Sequence, residues 1–419
     1  MKQIFLSILL VLLPLMACAE TVVIDGIRYN LIPKGNVAEV ISNSYKGDVS
    51  IPSSFIHDGV EYRVTTIGEN AFANTSGLVS VTIPNTVSVI RSYAFRGSSL
   101  ASIVIPNSVT SIEKYAFFEC YKLKSATISN NLSSIGFYVF GKCGLTSVTI
   151  PESVTVIENS AFFYCSSLQG ITIPGNVTTI GGQAFSGCSS LSSLEFEEGL
   201  TSISSYAFKG CTSLQTITFP NSLQTIGSEA FYGCGNLTEI TLGKETSVIG
   251  SNAFGSCSNI NKVTCLARSV PSTSTEAFAS SYIESATLCI PSNAMDSYNS
   301  SEPWKNFEAK VPLILPEKCA TPTITKVNNK ISFSCETEGV EFSYEITNKD
   351  VKKGKAGEVE LGGIYQVSVY ASKEGYDDSD VATQEFTLGA DGKIGDVNED
   401  GNVNATDIVR LVNIIMSPQ

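Results

Sequence analysis

Apolar positions between residues 67 and 267 come in blocks rather than in one continuous rhythm. Phe stands at 72, 95, 117, 140, 162, 185, 208, 231 and 254, at intervals of 22 or 23, with a looser copy at Phe278. Inside a block the spacing is first helical: Ala116, Cys120 and Leu123, or Ala184, Cys188 and Leu191, stand at i, i+4 and i+7. That stripe predicts a short helix or helical turn. The period then shortens, with Leu194 and Phe196, or Ile217 and Phe219, predicting a short strand with alternate residues inward. Pro84, Pro106, Pro151, Pro174 and Pro220 end that strand, since proline brings no backbone donor. A second apolar pair follows, such as Val109 with Ile112 or Val154 with Ile157. A fixed period of this length means that each block buries its apolar face against its neighbours, so the chain is read as a solenoid, mainly β with short helical turns.

Three residues after the Phe stands a cysteine in seven blocks: Cys120, Cys143, Cys165, Cys188, Cys211, Cys234 and Cys257. Thr75 and Ser98 take that place in the first two, so the position demands a small side chain. Parallel strands stack ~4.8 Å apart, whereas a disulfide needs Cβ atoms ~3.5–4.5 Å apart with a set twist. Buried thiols acting as small hydrophobes are therefore expected.

Blocks such as Val154-Thr155-Val156-Ile157-Glu158-Asn159-Ser160-Ala161-Phe162, running on through Cys165 and Leu168 to Ile171-Thr172-Ile173-Pro174, resemble the BspA-type leucine-rich repeat. The match covers about residues 67–267, and Val139 departs from it by replacing the usual Ala before Phe140. The resemblance implies a bacterial surface or secreted protein with a binding role, in some members adhesion to host matrix proteins.

A solenoid with open ends would invite edge pairing, so caps are expected. Residues 20–66 supply the first, with runs Thr21–Ile24 and Val60–Val64 near the Asp25-Gly26 and Asp58-Gly59 turns. Residues 268–315 supply the second, where Trp304 reads as a hydrophobic lid, carbohydrate stacking being the alternative.

Beyond Pro316 the character changes. Ile331/Phe333/Cys335, Phe342/Tyr344/Ile346 and Val367/Val369/Ala371 alternate as short strands over 316–388, with an Asn328-Asn329 turn, which suggests an immunoglobulin-like β-sandwich. That turn would set Cys319 opposite Glu338, so a Cys319–Cys335 bond needs a bulge or an offset and is left open.

Within 391–419 the sequence presents a twelve-residue calcium loop. Asp396, Asn398 and Asp400 stand at loop positions 1, 3 and 5, Asn402 offers a carbonyl at 7, Asn404 acts at 9 and Asp407 at 12. Gly401 takes position 6, where the chain turns sharply. A helix stripe of Ile408, Leu411, Val412 and Ile415 follows, and a breaker run at Leu388–Gly392 precedes. With Asp at position 12 and no helix before the loop, this resembles a single dockerin calcium repeat. Its apolar helix face needs a partner, either the neighbouring sandwich or a cohesin-like protein.

Charge and composition narrow the rest. A net charge of −13 with only 16% charged residues disfavours nucleic acid and anionic membrane surfaces. Residues 1–19 read as an export signal, Lys2 preceding an apolar Ile4–Leu15 run and Ala17-Cys18-Ala19, with cleavage after Ala19 favoured over lipidation of Cys18. No other stretch reaches the ~20 apolar residues of a spanning helix.

His57 is the sole histidine and reads as a loop residue, so no His-based catalytic set is expected, and no enzyme. Glu195, Glu197 and Glu198 read as a solvated acidic face. The candidate ligand face is aromatic: Tyr93, Tyr115 and Tyr138 each stand two residues before a repeat Phe, with Phe118, Tyr121, Phe163 and Tyr164 nearby. The competing reading has these rings merely covering the turn beneath. An extracellular protein or glycan is the implied partner.

Overall fold

The computed structural model describes residues 20–327, 330–348, 351–353, 359–361, 364–373 and 376–387. The export segment, the Asn328-Asn329 turn, and the calcium loop with its helix lie outside the described residues. The chain divides into two compact units, Met1–Leu313 and Ile314–Gln419.

The first unit begins with six strands: β1 (Glu20–Ile24), β2 (Ile27–Ile32), β3 (Val37–Val40), β4 (Gly47–Ser50), β5 (Ser54–His57) and β6 (Val60–Ile67). β1–β2, β2–β3 and β5–β6 pair antiparallel. β3 and β6 then pair parallel, and Thr66 and Ile67 of β6 pass that register on to Val89 and Ile90. The change from hairpins to parallel stacking is where coiling starts.

Each later coil has three sides. One is a two-residue strand, stacked in register from Ser134–Ile135 through Val156–Ile157 to Ser272–Thr273, its Ile buried in the core in every copy but the last, which has Thr273. A second is a longer strand, as in Gly170–Ile173 paired with Ser193–Phe196. The third is the turn that carries the Phe. Prolines 84, 106, 151, 174 and 220 each accept an i→i+3 bond at the corner that ends the second side (Val87, Val109, Val154, Val177 and Leu223 donate).

The third side takes the shorter of the two forms expected from the spacing. The segment is a run of turns, not a helix. Its N–H groups alternate between two acceptors: Ala94 bonds back to Arg91, while Phe95 bonds forward to Ala116 of the next coil at 2.7 Å. A helix would keep all of these bonds inside the segment. Inward Ala, Cys and Leu share the helical spacing because each turn brings them to the same side.

All nine repeat Phe residues are 0 or 1% exposed. Their rings form one column in which neighbours lie 5.0–5.6 Å apart and within 12° of parallel, continued by Phe278 at 5.5 Å. Beside it runs the cysteine column. Each thiol donates to the Phe carbonyl one coil back, from Cys120 to Phe95 at 3.0 Å through Cys257 to Phe231 at 3.2 Å. Ser281 does the same to Phe254 at 2.6 Å, and Thr75 bonds the carbonyl of Phe72 in its own coil. The position therefore calls for a small donor, not only a small side chain. All eleven described cysteines are free thiols, and burial pushes Cys165 and Cys211 up to about 12.

The far end closes over Trp304. Its ring is fully buried against Phe278, Tyr298 and Phe307, and its Nε1 donates to Thr273 Oγ1 at 3.2 Å. Burial makes it a lid and removes it as a carbohydrate platform. A short helix, Met295–Ser300, brings Tyr298 into this cluster.

The second unit is antiparallel. Thr323–Val327 pairs with Lys330–Ser334, and Glu341–Asn348, Ile364–Ser372 and Ala382–Thr387 form a three-stranded sheet. Its small core gathers Ile324, Val367 and Val369 with Phe333, Phe342 and Tyr344. Carried back, the Thr323–Ser334 register sets Cys319 opposite Glu338, and Cys335 donates to the carbonyl of Ala320 at 3.0 Å. Cys319 and Cys335 are both free.

Candidate functional site

The turn side imposes an unusual backbone. In every coil from Phe72 to Phe254, the residue two before the Phe and the residue two after it adopt positive φ. The preceding set is Asn70, Tyr93, Tyr115, Tyr138, Ser160, Gln183, Tyr206, Glu229 and Asn252, at φ 52–63°. The following position takes Gly in four coils (97, 187, 210 and 233) and Asn74, Glu119, Lys142, Tyr164 or Ser256 in the others. Left-handed backbone is cheap for Gly and Asn, whereas a bulky L-residue there costs about 1–2 kcal/mol. Asn70 and Asn252 show that the inexpensive solution fits this register. Tyrosine at four coils therefore presents its ring at a backbone cost that Asn would lower.

Those rings form an outer column. Tyr93 stacks on Tyr115 at 5.0 Å and 4°, and Tyr115 on Tyr138 at 5.1 Å and 13°. Phe118 meets Tyr115 and Tyr138 edge-on at 5.3 and 5.4 Å, and Phe163 meets Tyr138 at 5.4 Å. Unlike the inner Phe column, these rings are only partly buried. They line a shallow hollow of about 390 Å³ together with Arg96 and Lys142. Five of the seven aromatic residues expected from the sequence thus converge: Tyr93, Tyr115, Phe118, Tyr138 and Phe163. Tyr164 only packs on Phe163 at 4.6 Å, and Tyr121 projects into solvent, 65% exposed; neither lines the hollow.

Arg96 and Lys142 were not legible as partners because they come together only across coils. Arg96 Nη2 lies 3.2 Å from Glu119 Oε2 and Lys142 Nζ 3.3 Å from Glu119 Oε1. Partial burial acts to raise the Glu119 carboxyl, but hydrogen bonds from Arg96 and Lys142 outweigh it and hold it below its usual range. Lys142 Nζ also sits 5.2 Å from the centre of the Phe118 ring. Desolvation first, then the neighbouring Tyr93 and Tyr138, raise the Tyr115 hydroxyl above its ordinary value, so it stays a neutral donor at physiological pH. The register itself is the signal that finds Arg96, which stands one residue after its Phe as Phe118 and Phe163 do.

A second hollow of about 410 Å³ adjoins the first and shares Tyr138 with it. Phe137 and Tyr206 add aromatic surface, and Asn159, Ser160, Gln183 and Ser205 supply amides and hydroxyls. Tyr206 occupies the same register as the three stacked tyrosines and was missed only because Ser160 and Gln183 interrupt the series. Two of the three clustered acidic residues have structural partners. Glu197 accepts from the Gly175 N–H, and Glu198 from the N–H groups of Asn221 and Ser222. The side chains expected to hold calcium, Asp396, Asn398, Asp400, Asn404 and Asp407, with the Asn402 carbonyl, lie outside the described residues.

Among known proteins, the family model for the BspA type leucine rich repeat region matches residues 42–169 and 157–284. No curated protein matches the chain. Solved structures with similar folds include a leucine-rich cell surface protein from Faecalibacterium prausnitzii, 23% identical, covering 70% of this chain and 94% of its own at a TM-score of 0.40. The pneumococcal vaccine antigen PcpA is 19% identical, covering 71% and 99% at 0.39. A leucine-rich repeat protein from Bacteroides ovatus is 22% identical, covering 64% and 99% at 0.26.

Proposed function

The chain belongs to the BspA-type leucine-rich-repeat family, and from that premise we propose that it is an exported, non-enzymatic binding protein, adhesin-like in role. Its recognition surface is the aromatic face of the turn side, and its target an extracellular protein, glycoprotein or polysaccharide. One observation carries this reading: Tyr93, Tyr115 and Tyr138 hold a strained backbone to keep partly exposed rings stacked beside a hollow. Large rings with polar tips and little rotamer freedom are what binding surfaces use as anchors. Among the described residues no helix is long and apolar enough to cross a membrane. Residues 1–19 act as the export signal on this reading, with cleavage after Ala19 preferred to lipidation of Cys18.

The test is a screen of the full chain on glycan and matrix-protein arrays, followed by the Tyr115→Ala/Tyr138→Ala variant on whatever target is captured. Loss of two central anchors should weaken binding about 30-fold or more. Unchanged affinity removes the aromatic face from recognition.

A second reading rests on the ligand spacing of Asp396 to Asp407. The tail binds one Ca²⁺, and its helix attaches the protein to an extracellular assembly through a cohesin-like partner or packs within the chain. Deleting residues 389–419 separates the two roles. If target binding survives, recognition lies in the solenoid; if retention alone is lost, the tail is the attachment.

A further inference from the structure

The N-terminal cap carries a group of side chains that plays no part in the aromatic face. Glu20 opens β1, His57 closes β5, and Asp58 follows in the turn to β6. Pairing of β5 with β6 fixes His57 opposite Val60, and Asp58 and Gly59 take the left-handed conformations, φ 53° and 78°, of a two-residue hairpin turn. Pairing of β1 with β2 sets Glu20 opposite Leu31. Phe55 packs on Tyr29 at 4.5 Å and on Tyr62 at 6.1 Å, which ties the hairpin to β2. The backbones of Glu20 and His57 are thus held by paired strands, and that of Asp58 by the tight turn between two of them.

His57 Nε2 stands 3.3 Å from Glu20 Oε1 and 3.6 Å from Asp58 Oδ2, and the three donor atoms lie within 4.8 Å of one another. A single ring N–H points in one direction and cannot serve both carboxylates. A hydrogen bond to Glu20 Oε1 at 3.3 Å leaves Asp58 Oδ2, at 3.6 Å, beyond hydrogen-bond reach. The two separations from His57 also fit a different geometry. In a tetrahedron the ligand–ligand edge is about 1.6 times the bond, so zinc bonds of ~2.0–2.2 Å set the donors about 3.3–3.6 Å apart.

We propose that Glu20, His57 and Asp58 form a binding site for a divalent transition-metal cation, zinc by preference, that clips β1 to the β5–β6 hairpin. An imidazole with two carboxylates suits such a cation, whereas calcium takes oxygen ligands alone. The His57 side chain is 24% exposed and that of Glu20 60%, so the cation enters from solvent and water completes its coordination.

His57 is the sole histidine of the chain, so one imidazole signal in a long-range ¹H–¹⁵N NMR spectrum reports this site in the untagged full chain. Zn²⁺ is added with calcium in excess, which keeps the C-terminal loop out of the reading. The expected result is a saturable displacement of that signal. Glu20→Gln and Asp58→Asn, each with unchanged circular dichroism, should weaken zinc binding about tenfold. No displacement up to about 1 mM zinc overturns the proposal. So does equal affinity in both carboxylate variants, since a lone imidazole contact would then account for the binding.

Discussion

Replacing Tyr115 by Asn should separate recognition from stability within a single coil. The Tyr115 ring contacts Tyr93, Tyr138, Phe118 and Phe137 at centroid distances of 5.0–5.4 Å. Aromatic pairs contribute about 0.5–1.5 kcal/mol each. At a solvent-facing site the lower bound applies, so the four contacts together give about 2 kcal/mol. Against that, Tyr115 sits at φ 60°, where a bulky residue loses about 1–2 kcal/mol that Asn largely avoids. The net destabilisation is therefore about 1 kcal/mol or less. Two residues on, Phe117 is fully buried between Phe95 and Phe140 at 5.0 and 5.3 Å, and Phe117→Ala should cost about 3–5 kcal/mol. Urea unfolding, with amide exchange of residues 93–140 as the local probe, compares the two variants; target binding by Tyr115→Asn should fall while its unfolding midpoint barely moves. A midpoint loss as large as that of Phe117→Ala would refute the reasoning, because the outer column would then be part of the core.

Three further outcomes follow from the same contacts. Cys188 donates to the Phe162 carbonyl at 3.3 Å, so Cys188→Ser, which keeps a donor as Ser281 does, should destabilise less than Cys188→Ala, expected at about 1–2 kcal/mol; the reverse order in urea midpoints would sink the donor role. Burial pushes Cys165 and Cys211 up to about 12, against ~8.5 in the unfolded chain, so between these values the unfolded state loses thiol protons that the folded state keeps. Stability should then be full below about pH 8.5 and fall by about 1.4 kcal/mol per pH unit per thiol above it, and Cys165→Ser/Cys211→Ser should flatten that slope between pH 8 and 10.5. Calorimetry with Ca²⁺ should give one site per chain, abolished by Asp400→Ala; an unaltered isotherm in that variant would place the ion elsewhere.

The coiling was legible because Phe and Cys positions repeat by residue type. The backbone at the turns was not. Asn70, Tyr93, Ser160, Gln183 and Glu229 share one conformation but no chemistry, so only the bond pattern between coils reveals their common left-handed geometry. The helical spacing of Ala116, Cys120 and Leu123 could not separate a helix from a turn for a related reason: inward pointing is set by the stacked turns, and the N–H of Phe117 leaves the segment for Val139 of the next coil. Tyr93, Tyr115 and Tyr138 could be aligned by register, whereas the joining of Arg96 to Lys142 through Glu119 spans three coils and has no linear signature.

The inner Phe column also has a mechanical meaning. Within the column each ring stacks on the ring before and the ring after, and each coil's hydrogen bonds run to its immediate neighbours. Tension applied at the two ends meets no contact that spans the stack, so the column yields as a zipper, one ring at a time. Each step frees 22 or 23 residues of chain, about 75–80 Å when drawn taut. On the proposed binding role, such stepwise release would let the coils beyond the aromatic face lengthen under load before a bound target is lost.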